Sequence, residues 1–263
     1  MGDPVNAERY WNATADEYQS TIRISTDDYH YGPLLPGDRE LNLLPEPLQG
    51  KRCLEIGCGA GQNSIFLTRH GADCVAVDLS ERQLHHGREL ATQCGVRVDF
   101  RRHDMDQLPV AELGSFDLVH NASLTFSQNP GQVVRTMADL LRPDGQLLLV
   151  ALHPLHAGDW IELDDGTEGV WIRSYFHMPV DERDAEEGHD GIVARYYTLS
   201  EMAGWITDAG LRINRIVEPE PLPIPSLHDD EVMQRVPYDS PDWRELYPFL
   251  AAVPFAVIFL AGR

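Results

Sequence analysis

Positive charge is what this chain has least of. It holds a single lysine, Lys51, and its Lys plus Arg total of 21 faces 42 Asp plus Glu, a formal net charge of −21. A field of that sign repels a phosphate backbone, so a nucleic-acid partner is not expected. Cysteine is also scarce. Cys53, Cys58, Cys74 and Cys94 form no C-x-x-C pair and no zinc spacing, and Cys53 and Cys74 sit in apolar runs where the thiol acts as a small hydrophobe. No His/carboxylate cluster has metal-ligand spacing, so no metal is expected. Long apolar runs are missing too. The longest late stretch, residues 255–261, is strand length and far below the roughly 18 residues a membrane helix needs. The N-terminus has no apolar signal core, and Asn6 stands where myristoylation of Gly2 wants Ser or Thr. A soluble, cytoplasmic protein without a membrane partner is the expectation. No G-K-[ST] occurs, which excludes a P-loop.

What is present is alternation. Residues 6–20 read as a helix carrying Tyr10, Trp11 and Tyr18, followed by a Tyr/Pro/Gly-rich loop (27–38) and a helix over 39–44. Short apolar strands are expected at 53–56, 73–77, 96–101, 116–120 and 146–152. Helices separate them at 62–70, at 81–94 behind a Ser80/Gln83 capping box, and at 130–141 behind Asn129-Pro130. Arg142-Pro143-Asp144-Gly145 reads as a turn. Strands of buried type alternating with helices give a parallel sheet covered on both faces, a doubly wound α/β fold. The last third differs. Aromatic β-prone segments at 169–175 and 191–197 flank an acidic loop at 181–190. Thr198 and Glu201 form a second capping box for a helix ending at Ala209-Gly210. Strands at 212–218 and 255–260, with a proline-rich detour at 219–225 between them, suggest an antiparallel closing hairpin. The expected architecture is a single domain over 1–263. It comprises an N-terminal lid (1–50), a core (51–152), and an aromatic cap with closing strands (153–263), around a seven-stranded, mostly parallel sheet whose last strand is antiparallel.

Glu55-Ile56-Gly57-Cys58-Gly59-Ala60-Gly61 lies where the first core strand meets its helix. Glycines there let a ligand press against the backbone, with helix-start amides facing it. Asp78 ends the next strand, 21 residues after Gly57, and offers two acceptor oxygens for the hydroxyls of a ribose. A helix-capping role for it is already filled by Ser80. Asp104 follows the third strand, where a carboxylate can accept from an adenine amine while Met105 covers the ring. Three sites at the carboxyl ends of three successive strands converge on the edge where such sheets bind ligands. A nicotinamide site would need G-x-G-x-x-G, and neither frame fits, because Gln62 and Ser64 occupy the third glycine's place.

The run from Glu55 to Leu152, including Phe116-Asp117-Leu118-Val119 and Leu140-Leu141-Arg142-Pro143-Asp144-Gly145-Gln146, resembles the core of class I S-adenosylmethionine (SAM) dependent methyltransferases. The resemblance implies methyl transfer from SAM, with S-adenosylhomocysteine as product. Glu55, Gly57, Cys58, Gly59 and Gly61 would hold the methionine part, with Asn63 beside them. Asp78 would take the ribose, with Gln83 nearby, and Asp104, Met105 and Leu79 the adenine. Asn121 and Ala122 would line the sulfonium. Tyr10-Trp11-Asn12-x-x-Ala15-x-x-Tyr18 is similar to the leading helix of small-molecule members, which makes Tyr18 and Tyr31 the expected lid contacts and a metabolite or natural product the expected acceptor. The alternatives are a non-catalytic SAM- or nucleoside-binding module and a nicotinamide-dependent oxidoreductase. Assembly as a homodimer is open to such a chain.

Methyl transfer is an in-line displacement, for which alignment and exclusion of water come first and a base matters only for an acceptor that must lose a proton. His153, directly after the fifth core strand, is the first candidate base, and His120, ending the fourth, the second. His156, His177 and His189 fall in the variable region and are not ranked. Trp160, Trp171, Tyr175, Phe176, Tyr196, Tyr197 and Trp205 suit either an acceptor pocket or the core of an added layer.

Overall fold

The computed structural model describes residues 4–178, 181–183, 192–223, 233 and 235–263. Gly2, His189, Gly191, Pro225 and the acidic residues 184–190 lie outside the described residues.

A seven-stranded sheet organises the chain. Its strands are β1 (Arg52–Ile56), β2 (Asp73–Asp78), β3 (Asp99–Arg102), β4 (Phe116–Asn121), β5 (Leu141–Leu152), β6 (Arg212–Val217) and β7 (Ala256–Gly262), in the order β6-β7-β5-β4-β1-β2-β3. Every neighbouring pair from β5 to β3 is parallel. β7 runs antiparallel to both β5 and β6, so the expected sheet and its reversed closing strand are both present. The central strands read as continuous apolar runs because both faces are covered. Cys53, Cys74, Leu118, Leu148 and Ile258 pack on one side with α2 (Gln62–Arg69) and α3 (Glu81–Gln93). Leu54, Val75, Val119, Leu147 and Phe259 pack on the other with α4 (Pro130–Asp139) and α5 (Leu199–Asp208). The N-terminal helix α1 (Pro4–Thr21) lies outside these layers, against α3.

Several local expectations change. The helix near residue 40 is a single turn, Asp38–Leu41. β3 starts at Asp99 rather than 96. Arg142 to Gly145 is not a free turn but an irregularity inside β5, where pairing with β4 jumps from Phe116↔Leu141 to Leu118↔Gln146. The Asn129 side chain makes no cap on α4. Instead the Asp106 carboxylate accepts from the backbone N–H groups of Gln128 and Asn129 and from the Ser127 hydroxyl. Ser80 does cap α3, its hydroxyl accepting from Gln83 N–H, whereas the Thr198/Glu201 box on α5 is complete. The two aromatic segments do not pair with each other. Glu168–Trp171 pairs with Asp159–Glu162, and Ile192–Ala194 with Asp181–Arg183. Among the described residues no helix is long and apolar enough to cross a membrane.

Candidate active site

A cavity of about 650 Å³ opens at the carboxyl ends of β1, β2 and β4. Of the fifteen residues expected to hold the cofactor, thirteen face the cavity, because lying near the edge and facing it are separate conditions. Gly57, Cys58 and Gly59 line it, as do Glu55, Asp78, Leu79, Gln83, Asp104, Met105, Ala122, Asn63, Tyr18 and Tyr31. Gly61 and Asn121 do not.

The glycine loop divides by function. Gly59 has φ +55°, and a side chain built on it would meet only Gln83 Oε1, at 3.9 Å, so its missing Cβ leaves room that belongs to the cavity. Gly61 is glycine for packing: a Cβ there would fall 2.6 Å from Phe100, between α2 and β3. Asn121 is likewise spent inside. Its amide donates to Ile56 C=O at 2.9 Å and its carbonyl accepts from Ser123 N–H, fastening the loop after β4 to the end of β1.

Asp78 braces the loop while facing the cavity. One carboxylate oxygen accepts from Gly59 N–H and the other from Ser80 N–H, both at 2.8 Å, and each retains a lone-pair site. Burial pushes its pKa above the usual carboxylate range. Glu55 is buried more completely, and its pKa rises to about 7 through loss of hydration, opposed by hydrogen bonds from Ser64 N–H and hydroxyl to Oε2. Asp104 accepts from Asp106 N–H. Asn63 faces the cavity, but its amide is committed to the backbone of His30, accepting from His30 N–H at 2.9 Å and donating to His30 C=O at 3.1 Å. Gln83 accepts from Gln19, which in turn accepts from Gln62, so three side chains bind α1 to the helices behind the glycine loop. The Tyr18 and Tyr238 hydroxyls share a 2.6 Å hydrogen bond, and Tyr31 donates to Asp38, so it offers the cavity its ring.

Neither expected base reaches the cavity wall. Both ring nitrogens of His153 are engaged: Nδ1 accepts from Leu155 N–H at 3.2 Å, which places the proton on Nε2, 2.8 Å from Glu218 Oε1. The buried imidazole ties the end of β5 to the chain leaving β6. His120 is buried beneath Tyr29, whose hydroxyl lies 2.8 Å from Nδ1, and burial lowers its pKa to about 3.

Further residues complete the wall, of which only Trp11, His156 and Tyr196 were singled out by name in the sequence, apart from those of the loop 27–38. Trp11, Gln19, Ser123, Thr125 and Phe126 surround the half near Asp78 and Asp104; Trp11 packs edge-on against Phe126 at 5.3 Å. The other half is bounded by Val150, Leu152, His156, Tyr196, Tyr238, Trp243 and Phe255, and His30 touches both halves, its backbone on Asn63 and its ring on Tyr238. Of the seven aromatics that suit either an acceptor pocket or the core of an added layer, only Tyr196 lines the cavity. Trp160, Trp171 and Phe176 are exposed, and Trp205 packs on Tyr197 and Gly131. The charged lining residues are Glu55, Asp78, Asp104, Asp106 and Asp242, with no lysine or arginine among the described residues.

Residues 53–145 match the model of a methyltransferase domain. The ubiquinone biosynthesis O-methyltransferase of Ralstonia nicotianae is 32% identical over 166 residues, 63% of this chain and 64% of that protein. The enzyme of the same name from Bordetella avium is 34% identical over 107 residues, 40% of this chain and 44% of that protein. The chain thus spans less than two thirds of the length of these curated relatives. An S-adenosylmethionine dependent methyltransferase from Mesorhizobium loti shares the fold, with a TM-score of 0.64 at 22% identity over 85% of this chain and 95% of that one. The match over residues 53–145 is thus to a methyltransferase domain, and the sheet order, with the glycine loop at its carboxyl edge, is the fold shared with the Mesorhizobium loti protein.

Proposed function

We propose that the protein transfers the methyl group of SAM to a small-molecule acceptor by in-line displacement. The observation that carries this reading is the single cavity wall that joins an acid-rich, glycine-floored half to an aromatic half. The first half fits SAM chemically. Its open Gly59 backbone admits a close ligand, and its four carboxyl groups, Glu55, Asp78, Asp104 and Asp106, suit a ligand bearing a sulfonium and an ammonium. When bound there, SAM supplies a methyl carbon already activated for attack. Asp78 would hold the ribose hydroxyls through its remaining lone-pair sites, Glu55 the ammonium, and Asp104 the adenine amine, with Met105 and Leu79 against the ring. Asn63 would act by fixing the wall rather than by direct polar contact, since both ends of its amide are engaged, and Gln83, whose Oε1 accepts from Gln19, would keep its amide N–H groups for the ligand.

The second half has room for an acceptor flanked by Trp243, Phe255 and Tyr196, which favours an apolar or planar molecule. The absence of cationic side chains among its described lining residues disfavours an acceptor recognised by phosphate or carboxylate. The relatives named O-methyltransferases favour a hydroxyl as the methylated group.

Calorimetry with SAM and S-adenosylhomocysteine, followed by a labelled-methyl screen across metabolites, tests the proposal. Asp78→Ala should weaken SAM binding by ~1.5–3 kcal/mol, the scale of lost charge-assisted hydrogen bonds. A wild-type protein that binds neither ligand removes the proposal altogether.

A further inference from the structure

His30 is the one cavity-lining histidine set at the junction of the two halves whose imidazole has no hydrogen-bond partner among the described residues. Nδ1 is sealed from solvent without a partner, and the hydrogen bonds of this residue are made by its backbone alone. A structural histidine is ordinarily fixed through its ring, as His153 is through both nitrogens and His120 through Nδ1, although His120 Nε2 and His156 Nδ1 are also buried without a hydrogen bond. His30 is fixed from behind. Asn63, in the first turn of α2 after the glycine loop, clamps both its N–H and its C=O, and its ring meets Tyr238 edge-on at 5.2 Å on the aromatic side. A polar ring is thus held at a set place between the donor half and the acceptor half with its nitrogens unspent.

Resting on the methyltransferase reading above, we infer that His30 is the catalytic base of the acceptor site, its Nε2 taking the proton of a hydroxyl acceptor. Nδ1 is closed off, so Nε2 is the nitrogen an acceptor can reach. In the step, an oxygen lone pair forms the new C–O bond as the C–S bond breaks with its electron pair left on sulfur. The O–H pair stays on oxygen, and the proton passes to Nε2 and then to solvent. Burial lowers the pKa of His30 to about 4, which keeps the imidazole neutral and its lone pair available in the free protein. Forming an imidazolium there is offset by the chemistry itself, because one positive charge disappears from sulfur as one appears on the ring.

The test compares two probes of similar size at pH 8, 4-methylphenol, whose oxygen is protonated, and 4-nitrophenol, whose oxygen is ionised. His30→Ala should lower kcat on 4-methylphenol by roughly 100-fold or more, the usual contribution of a general base, and change kcat on 4-nitrophenol only severalfold. Added imidazole should restore part of the lost rate. A second readout needs no turnover. With S-adenosylhomocysteine bound, wild type should prefer 4-methylphenol over 4-methylanisole in calorimetry, and His30→Ala should lose that preference. Equal losses on both phenols, with no rescue, would assign His30 a packing role and overturn the inference. So would an unimpaired variant, or a wild type that methylates neither phenol. SAM affinity, measured in parallel on both proteins, separates these results from failure of the methyltransferase reading, which would show as no SAM binding by wild type.

Discussion

Glu55 carries the sharpest consequence at the scale of single residues. Its carboxyl is held near pKa 7 by burial, so in the free protein it is largely protonated below neutrality. A bound ammonium would favour the carboxylate, so binding and proton release are linked. The affinity for SAM should rise with pH, by up to about tenfold per unit below pH 7, and level off above it. Calorimetry in buffers of different ionisation enthalpy should show a proton leaving on binding near pH 6. A dissociation constant that stays flat from pH 5.5 to 8 would mean that Glu55 does not meet the ammonium. Glu55, Asp78 and Asp104 were legible in the sequence as cavity-facing acids because each lies within two residues of a strand's carboxyl end, whose direction fixes where it points. Gly61, Asn121 and His153 do not face the cavity: Gly61 makes room for Phe100, and the Asn121 and His153 side chains turn into internal hydrogen bonds. His30 left no such trace. Its position depends on Asn63, 33 residues away, holding its backbone.

Among elements, the four strands β1, β2, β4 and β5 could be read from the sequence because burial on both faces makes them uniformly apolar. The added hairpins could not. Asp159–Glu162 pairs with Glu168–Trp171 through strands whose residues are half-buried or exposed, so neither shows a sustained pattern. The bond between His153 and Glu218 belongs to this scale, since it joins the ends of two strands in different parts of the chain. His153→Ala should therefore act on stability and not on chemistry. Loss of its two part-buried hydrogen bonds, leaving Leu155 N–H without its acceptor, should cost about 1–3 kcal/mol. For a chain of this length that lowers the melting temperature by roughly 2–4 °C per kcal/mol, while kcat at low temperature stays near wild type. Calorimetric melting together with a turnover assay decides it. A large fall in kcat with an unchanged melting temperature would return His153 to the chemistry.

For the molecule as a whole, the buried histidines set the response to acid. His30 and His120 have ordinary values of 6.5 and folded values of about 4 and about 3, both lowered by burial. Between 6.5 and those values the unfolded chain holds protons that the folded chain does not, so stability is lost as pH falls through that window. Glu55 works in the opposite sense between 4.5 and about 7, where the folded chain keeps the proton. Replacing His120 with asparagine should remove one proton from the balance. From pH 7 to pH 5 the variant should lose about 2 kcal/mol less than wild type, the product of one proton and the 1.5 units below 6.5. Urea unfolding at the two pH values measures this, and parallel curves for the two proteins would exclude His120 from the acid response.

The attachment of α1 differs in kind from the packing behind the sheet. Ala15 is its only fully buried residue among those described. Asn12 accepts from the Ser80 hydroxyl and Arg82 N–H, Asp16 meets Arg82 and His86, Glu8 meets Arg102, and Gln19 joins Gln83 and Gln62. Groups of this sort exchange protein partners for water at little net cost, and exposed ion pairs weaken further as salt screens them. With Trp11 on Phe126 and Tyr18 on Tyr238 as the remaining ties, the helix should leave the cavity more readily than the apolar layers open, so the traffic of small molecules in and out should depend on the solution's ionic strength. Raising salt should hasten amide hydrogen exchange along α1 and the dissociation of bound S-adenosylhomocysteine together, with β1 and β4 unaffected.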